Sequence, residues 1–266
     1  MSVRPVADLA ALRAFLVASR IAGEVDTPRE NNLRNAGLMA QGHEHYAFGL
    51  VPRRRWTEGE VVAVMVERCG IDPDPLHRSG IDTIDPDLTI AQLERWRARL
   101  AEAAARRERV LVATGHPTGV MAIHLRVVAA LRAAGADVLA PSHDWSWEWD
   151  EPTSRSRPRT VLAVNGVHVL GCGGELLHTH AAEPMQALLV ALDAAGSAPP
   201  DLVVADHGWA GVAAEAGLET LGLADCNDPA LFVAEHEGKP IVTVPLDDNV
   251  LPHLYEPLSA YVTRWA

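Results

Sequence analysis

The chain has 266 residues, 48% of them hydrophobic and 22% charged, and its formal net charge at pH 7 is −12. These values are ordinary for a globular protein, and the acidic charge argues against a nucleic-acid partner, which needs a basic surface. The sequence has no run of eighteen apolar residues, so we expect no membrane partner. Cys69, Cys172 and Cys226 are far apart and predict reduced thiols in a cytoplasmic protein.

The first hundred residues carry helical patterns and no clear strand. The segment TEGEVVAVMVERCG begins at Thr57 and has Glu60 three residues later, which is the pattern of a helix capping box. The segment TIAQLERWRARLAEAAARRE repeats the pattern with Thr89 and Gln92, ahead of apolar residues at helical spacing. We therefore expect helices that begin at these two threonines.

Between the two helical segments, GIDPDPLHRSGIDTIDPD is rich in Pro, Gly and Asp and predicts a surface loop. We expect residues 1–108 to form a helical N-terminal part that packs on an α/β main domain, residues 109–266. The sequence leaves open whether the N-terminal part is a separate domain, and it leaves the oligomeric state open.

From residue 109 onward, short apolar runs alternate with helical patterns. Fully apolar strands separated by helices are typical of a mostly parallel sheet that is covered on both faces. Asn165 and Gly166 lie between two β-rich runs and predict one β-hairpin. The fold class is therefore α/β, with a Rossmann-like layered sheet, a helical N-terminal part and one hairpin.

Polar, acidic or imidazole side chains follow five of the predicted strands. In an open α/β sheet, ligands bind beyond the carboxyl ends of the strands, so we expect these side chains to line one cleft. They occupy residues 114–119, 142–144, 206–208, 225–228 and 247–249.

The turn VATGHPTGV, between a strand and a helix, predicts an anion-binding site. Backbone N–H groups in such a turn and the helix dipole both favour a negative charge. We expect Thr114, Gly115, Thr118 and Gly119 to bind the substrate anion, with His116 as a general acid or base. The alternative is an ordinary turn in which Thr118 caps the helix.

The strand ends VVADHGWAG and GLADCNDPAL predict a metal site. Asp206, Asp225, Asn227 and Asp228 offer the hard oxygen ligands that Mg²⁺ and Mn²⁺ prefer. Carboxylates packed together would repel one another without a cation or a shared proton between them. The alternative is that Asp206 and Asp225 cap the helices that follow them.

Two neighbours of this metal site have expected roles in catalysis and binding. His207 and Asp206 are candidate catalytic residues, since an imidazole transfers protons near neutral pH. Gly208 fits a position that needs a positive φ or a close approach to a ligand, so we expect it to bind substrate.

The histidine pairs His43/His45 and His178/His180 are spaced as H-x-H, which can bind a metal. Neither pair has a clear third ligand nearby, so we interpret both as surface or hydrogen-bonded histidines. The polar segment at residues 31–35 could form a lid arm that reaches into a pocket. The tryptophan-rich segment HDWSWEWDE covers the core or, alternatively, forms a stacking platform.

The strings DHGWAG, ADCNDPALF, VPLDDNV, HEHYAFGL and GIDTIDPD resemble a mainly actinobacterial family named simply "phosphatase". The resemblance runs from about residue 31 to residue 261 and implies phosphatase activity without assigning catalytic residues. A looser likeness in fold and acidic strand ends is to the metal-dependent damage-control phosphatases, whose Asp-Asn motif has no clear copy here.

The leading hypothesis is a phosphatase that uses Mg²⁺ or Mn²⁺ to hydrolyse a small phosphate ester or another anionic metabolite. Two alternatives remain: a metal-independent lyase, cyclase or isomerase on an acidic metabolite, and a non-catalytic ligand-binding protein. Retention of activity in a chelator would favour the first alternative, and tight binding without turnover the second.

Overall fold

The computed structural model describes residues 9–141, 145–147 and 158–265. The N-terminal elements are α1 (Leu9–Ala18), β1 (Gly23–Pro28), α2 (Arg29–Ala40), α3 (Glu44–Ala47), α4 (Glu58–Arg68), β2 (Ile81–Ile84) and α5 (Pro86–Arg106). The following elements are β3 (Arg109–Thr114), α6 (Met121–Ala133), β4 (Asp137–Val138), β5 (Ser146–Trp147), β6 (Arg159–Val164), β7 (Val167–Cys172) and β8 (Glu175–Leu177). The chain ends with α7 (Glu183–Ala194), β9 (Leu202–Asp206), α8 (His207–Glu215), β10 (Thr220–Ala224), α9 (Pro229–His236), β11 (Ile241–Pro245), a 3₁₀ turn (Pro252–Tyr255) and α10 (Glu256–Val262).

A parallel core of five strands, in the order β11-β10-β9-β3-β7, forms the centre of the main sheet. Strand β4 pairs in parallel with β3, whereas β6 and β8 pair antiparallel with β7, and β5 with β6. Every residue of β9 and β10 is buried, as expected for strands covered on both faces. The predicted α/β class and mostly parallel sheet are confirmed.

Two groups of helices cover this sheet. Helices α5, α6 and α10 contact one another, and α7, α8 and α9 form a second contacting series. Members of both groups contact the strands directly, which gives the Rossmann-like layers that the sequence predicted. The buried apolar residues of the described chain form a hydrophobic cluster that includes side chains from both sides of residue 108.

The predicted hairpin joins β6 and β7, which pair antiparallel along their whole length. Asn165 and Gly166 form its turn with φ angles of 51° and 96°. A two-residue turn with both φ angles positive matches the right-handed twist of the strands it connects, which explains the Asn-Gly preference there.

The N-terminal part contains a small antiparallel sheet of β1 and β2, so the expectation of no strand before residue 108 is wrong. Strand β2 lies inside the segment whose composition predicted a loop. Its buried positions are Asp82 and Ile84, and an acid at one of them hides the apolar alternation. Asp82 is tolerated there because Arg29 and Asn32 donate hydrogen bonds to its Oδ2 at 3.0 and 2.7 Å.

Of the two predicted capping boxes, the one formed by Thr57 and Glu60 is confirmed at the start of α4. The second is wrong, because α5 begins at Pro86 with Asp85 as its N-cap. Proline at the first helical position already has the right φ, and the aspartate side chain accepts a backbone hydrogen bond from the first turn. Thr89 is therefore inside the helix.

The N-terminal helices pack on the main sheet and on α9. Trp96 of α5 donates its indole N–H to the Val242 carbonyl of β11 at 3.1 Å, and α2 and α4 contact α9. A domain boundary at residue 108 stays a prediction. Residues 142–144 and most of the tryptophan-rich segment lie outside the described residues. Among the described residues no helix is long and apolar enough to cross a membrane, and no disulfide joins the three cysteines.

Candidate active site

The order of the strands places a crevice at one end of the sheet. In chain order, the strands of the parallel core after β3 are β7 and then β9. Strand β7 lies on one side of β3 in the sheet, and β9 lies on the other side of β3. Such a reversal is the topological switch point at which open α/β sheets bind ligands. A cleft of about 690 Å³ lies there, between the carboxyl ends of the strands and the N-terminal elements.

Titratable side chains from several strand ends line this cleft, and we name two sets of them. The histidine wall consists of His116, His178, His180 and His207, and the acidic wall consists of Asp225, Asp247 and Asp248. Asp228 also lines the cleft and approaches His207 to 3.4 Å. Three groups of these side chains place one ligand atom per residue within 4.8 Å of one another, close enough to hold a metal ion. The groups are His116/His178/His207, His180/His207/Asp228 and Asp225/Asp247/Asp248.

His207 directly follows β9 and has the left-handed φ of 48°, which is rare for a residue with a side chain. Its Nδ1 lies 2.7 Å from Oδ1 of Asp206, and its Nε2 lies 3.4 Å from Asp228 and 3.5 Å from Asp248. Asp206 is completely buried and also accepts a hydrogen bond from the Gly115 N–H at 2.6 Å. Asp206 therefore lies behind His207 and orients its ring, and only His207 faces the cleft.

The charges around His207 decide its protonation. Burial opposes a charge on the ring, but the Asp206 hydrogen bond and the negative charges of Asp228 and Asp248 raise the pKa of His207 to about 10. For Asp206, burial is likewise outweighed by the hydrogen bond and charge of His207, which lower its pKa. A proton on His207 thus balances part of the buried negative charge, and a divalent cation would compete with that proton.

The other histidines reach the cleft from distant parts of the sequence. The ring of His178 stacks on His116, with 4.3 Å between centroids, and that of His180 stacks on His45 at 4.2 Å. Residues 178–180, which have the sequence His-Thr-His and which we name the HTH segment, are fixed by a hydrogen bond from the Thr179 N–H to the Gly115 carbonyl at 2.8 Å. His178 and His180 belong to two different groups of possible ligands, whose other members come from other strand ends, so their interpretation as surface or hydrogen-bonded histidines stays a prediction.

His43 and His45, the other pair, lie at the start of the short helix α3. His43 caps this helix by accepting a hydrogen bond from the His45 N–H, while His45 lines the cleft.

Burial and the neighbouring histidine charges, that of His207 foremost, lower the pKa of His180 to about 2. His180 is thus neutral over the physiological pH range, which is the state in which imidazole binds metals.

Hydrogen bonds fix the side chains of the acidic wall. Asp225 accepts one from the Thr27 hydroxyl at 2.6 Å and one from the Cys226 N–H at 2.6 Å. Asp247 accepts one from the Asn249 N–H at 2.9 Å. Burial, reinforced by the charge of Asp248, raises the pKa of Asp225 and of Asp247. These acids are therefore held close together at an electrostatic cost that a cation would relieve.

Asp228 is 2% exposed, and within the described residues its Oδ1 has no hydrogen-bond partner. Burial is the main reason that its pKa is raised, to about 7. Asn227 lines the cleft next to it and accepts a hydrogen bond from Asn35 on its carbonyl at 2.8 Å. Asp206 and Asp228 occupy the N-cap positions of α8 and α9 without a side-chain capping bond. The alternative of helix capping by Asp206 and Asp225 is therefore wrong.

The turn that was expected to bind an anion lies beside the cleft and contributes only His116 to its lining. Its N–H groups are already bonded: that of Gly115 to Asp206, that of His116 to the Thr114 hydroxyl, and that of Gly119 to the His116 carbonyl. The structure therefore does not present these three N–H groups to a ligand. Thr118 is exposed, and Val120 holds the N-cap position of α6, so the alternative of a Thr118 cap is also wrong.

All three glycines of the predicted binding set are required by close packing. A Cβ on Gly115 would lie 2.4 Å from the carbonyl oxygen of Thr179. A Cβ on Gly208 would lie 2.3 Å from the carbonyl oxygens of His180 and Ala181, and one on Gly119 would lie 1.9 Å from that of Asp248. Gly208 has no positive φ; the positive φ belongs to His207. The glycines thus let the HTH segment and the Asp248 backbone approach the strand ends.

Helix α2 and the segment before β1 supply positive charge and amides at the mouth of the cleft. Arg20 and Arg34 are exposed and line it, as do Asn31 and Asn35 of α2. The segment expected to form a lid arm is thus part of a regular helix. Sequence reasoning missed Arg20, whose position depends on the left-handed turn, φ 58°, that ends α1.

Comparisons with known proteins identify the family of the chain. The sequence model of the family described as "Phosphatase" matches residues 7–266. A protein of Streptomyces coelicolor named "Phosphatase SCO2771" is 49% identical over 255 residues, which cover 95% of this chain and 94% of that protein. The chain therefore belongs to the Phosphatase family.

Proposed function

We propose that this protein is a metal-dependent phosphatase that hydrolyses a small phosphate monoester with Mg²⁺ or Mn²⁺ bound in the cleft. Family membership supports the reaction class. The observation that carries the metal dependence is the buried Asp228 carboxylate, whose Oδ1 has no hydrogen-bond partner among the described residues although it lines a polar cleft. A buried carboxylate oxygen is normally hydrogen-bonded or bound to a cation.

The residues present fit such an ion, Mn²⁺ more closely than Mg²⁺, because two of the three donors are imidazole nitrogens. His180, His207 and Asp228 offer two imidazole nitrogens and a carboxylate within 4.8 Å of one another, and Asp206 orients the ring of His207 from behind. A carboxylate that accepts the second N–H of a ligating histidine is the usual support of a metal site. Of the ligands that the sequence predicted, Asp225, Asn227 and Asp228 line the cleft, and Asp206 acts through His207.

The protein groups have separate tasks in this proposal. Arg20 and Arg34, at the mouth, bind the phosphate oxygens, because guanidinium groups match their geometry. His116 donates the proton to the leaving-group oxygen; its Nδ1 lies 3.3 Å from Asp248, which leaves Nε2 for the substrate. The ion would neutralise charge on the phosphoryl oxygens and acidify the attacking water.

The proposed substrate is a small polar phosphate ester. The volume of the cleft, about 690 Å³, is in the range of small-molecule sites. Asn31, Asn35 and Asn249 line it near the arginines and offer amide donors and acceptors for hydroxyl groups of the organic part. The absence of a nucleic-acid partner and the cytoplasmic location stay predictions.

The test is phosphate release from p-nitrophenyl phosphate and a panel of sugar and nucleoside monophosphates by metal-stripped protein, with and without Mg²⁺ or Mn²⁺. We expect hydrolysis only with metal, and Asp228→Asn to lower kcat by roughly 100-fold, the upper end of the effects seen for residues that support a metal. Asp193→Asn, at an exposed position of α7, is the control and should match the wild type.

Full hydrolysis in the presence of a chelator, or in Asp228→Asn, would overturn the metal dependence. The lyase, cyclase or isomerase alternative would be supported if an acidic metabolite without phosphate were converted in chelator. Saturable binding of a metabolite with no turnover under any metal condition would support the ligand-binding alternative.

A further inference from the structure

The groups that could hold a cation in this cleft differ in composition. The His180/His207/Asp228 group has two nitrogen donors and one oxygen donor, whereas the Asp225/Asp247/Asp248 group has only oxygen donors. Imidazole suits transition-metal ions such as Zn²⁺ and Fe²⁺, and carboxylates suit Mg²⁺, Mn²⁺ and Ca²⁺, so a mixed set of imidazoles and a carboxylate can hold Mn²⁺. The two groups have no member in common, so they are two separate sets of ligands.

Asp248 connects the two sets. It belongs to the acidic wall, yet its Oδ2 lies 3.5 Å from Nε2 of His207 and its Oδ1 lies 3.3 Å from Nδ1 of His116. A carboxylate has two oxygens with two lone pairs each, so it can serve a ligand on either side. The backbone around Asp248 is held in place by its packing against Gly119.

The acidic wall also lacks any internal source of positive charge. No ion pair in the described part of the chain involves Asp225 or Asp247, although both are only 2% exposed. Asp228 lines the same cleft: its Oδ1 is buried without a hydrogen-bond partner among the described residues, and its Oδ2 lies 3.4 Å from Nε2 of His207. Buried carboxylates are costly without cationic charge beside them, and no ion pair among the described residues supplies that charge to Asp225 or Asp247.

We propose that the cleft binds two divalent cations, one held by His180, His207 and Asp228 and the other by Asp225, Asp247 and Asp248, with the Asp248 carboxylate bridging the two. This deepens the proposed function and rests on it for the first cation. The histidine-side site takes Mn²⁺ or Zn²⁺, and the all-oxygen site takes Mg²⁺ or Mn²⁺. A pair of cations is a common way to hold the attacking and leaving oxygens of a phosphoryl transfer.

Mn²⁺ is the probe that tests this proposal, since it suits both donor sets and is paramagnetic. Metal-stripped wild-type protein is dialysed against Mn²⁺, bound metal is counted by mass spectrometry, and the electron paramagnetic resonance spectrum is recorded. We expect two Mn²⁺ per chain and the spectrum of a spin-coupled pair. This measurement on the wild type does not depend on whether a variant folds.

Variants then assign the two sites. His180→Asn and Asp247→Asn should each leave one Mn²⁺ per chain with an uncoupled spectrum, because each removes a ligand of one site only. Asp248→Asn should abolish the coupling and weaken the binding of both ions by roughly tenfold or more. His253→Asn and Asp193→Asn, at exposed positions that do not line the cleft, are the matched controls and should keep two coupled ions.

One Mn²⁺ per chain, or two with no spin coupling, would overturn the bridged pair. If metal-dependent hydrolysis persists in that case, the proposed function stands and only the second site fails. Two coupled ions without hydrolysis of any phosphate ester would support the pair and refute the proposed function. No bound Mn²⁺ at all would overturn both.

Discussion

The histidine wall and the acidic wall line the same cleft, but they are held in place in different ways. Hydrogen bonds from their own strand-end loops or from β1 fix the acids, as with the Thr27 hydroxyl on Asp225. In the histidine wall, the positions of His178 and His180 depend on ring stacking and on the packing of the HTH segment against α8. The acidic wall is thus fixed by hydrogen bonds, most of them from its own loops, whereas the histidine wall depends on ring stacking and close packing between distant segments.

The largest effect is expected from a substitution that disrupts the packing of the HTH segment against α8. In Gly208→Ala, the added Cβ would meet two carbonyl oxygens at 2.3 Å, so the HTH segment must move or the structure must strain. We expect a loss of roughly 1–3 kcal/mol, which lowers the Tm by several degrees. Binding at the histidine-side metal site should weaken with it, whereas the acidic wall should be spared.

Gly59→Ala is the matched control, because Gly59 lies in helix α4 with nothing within 4 Å of the added Cβ. There alanine should stabilise by about 0.5–1 kcal/mol, the usual gain in a helix. Thermal unfolding of both variants measures the contrast. Equal Tm values for Gly208→Ala and the wild type would show that the HTH segment does not depend on this contact.

The next largest effect is expected from a substitution that removes a negative charge beside the histidine wall without removing a hydrogen-bond acceptor. In Asp206→Asn, the amide oxygen can still accept the hydrogen bonds of His207 and Gly115, but the negative charge behind the imidazole is lost. We expect metal affinity at the histidine-side site to fall by about tenfold or more, while the acidic wall changes less. Calorimetric metal titration measures both. An equal loss at both sites would contradict the separation of the walls.

The same difference between the walls explains what could be predicted from the sequence. The acids follow the apolar strands β10 and β11 directly, so the strand-end rule places Asp225, Asp228 and Asp248 together without knowledge of the fold. His178 and His180 follow the antiparallel pair of strands β7 and β8. No local sequence pattern indicates that the segment containing them contacts the turn after β3. Long-range packing of this kind leaves no periodic pattern in one sequence.

Other errors have equally physical causes. The N–H groups of the β3 turn were expected to bind an anion, but Asp206 of the neighbouring strand already accepts one of them. Strand β2 was missed because a buried ion pair replaces an apolar residue at Asp82. The hairpin at Asn165 and Gly166 was predicted correctly, since its signal is a local backbone requirement.

A smaller effect is expected on the acidic wall. Thr27→Val keeps the shape of the side chain and removes the hydroxyl that donates to Asp225 at 2.6 Å. A hydrogen bond to a charged group contributes about 1.5–3 kcal/mol. Asp225 keeps its hydrogen bond from the Cys226 N–H, so we expect the lower end of that range, a loss of roughly tenfold in affinity at the all-oxygen site. Thr118→Val, at an exposed position, is the control. A loss confined to the histidine-side site would reverse the assignment of the two walls.

The smallest effect is a difference in pH dependence between Asp228 and His180, two of the ligands proposed for the histidine-side site. In the metal-free protein, burial raises the pKa of Asp228 to about 7, so its contribution to stability is present at low pH and is lost as the pH rises. Burial lowers the pKa of His180 to about 2, so its contribution is present above about pH 6.5 and is lost on acidification. At intermediate pH, the stability contribution of Asp228 therefore falls as the pH rises, while that of His180 increases.

Variants should separate the two contributions. Between about pH 4.5 and about pH 6.5, Asp228→Asn should gain more stability than the wild type as the pH rises, because the falling contribution is removed. His180→Asn should gain less, since the rising contribution is removed. Urea unfolding in the presence of a chelator measures both slopes. The same slope in both variants would mean that Asp228 and His180 titrate as one network of charges and not as separate groups.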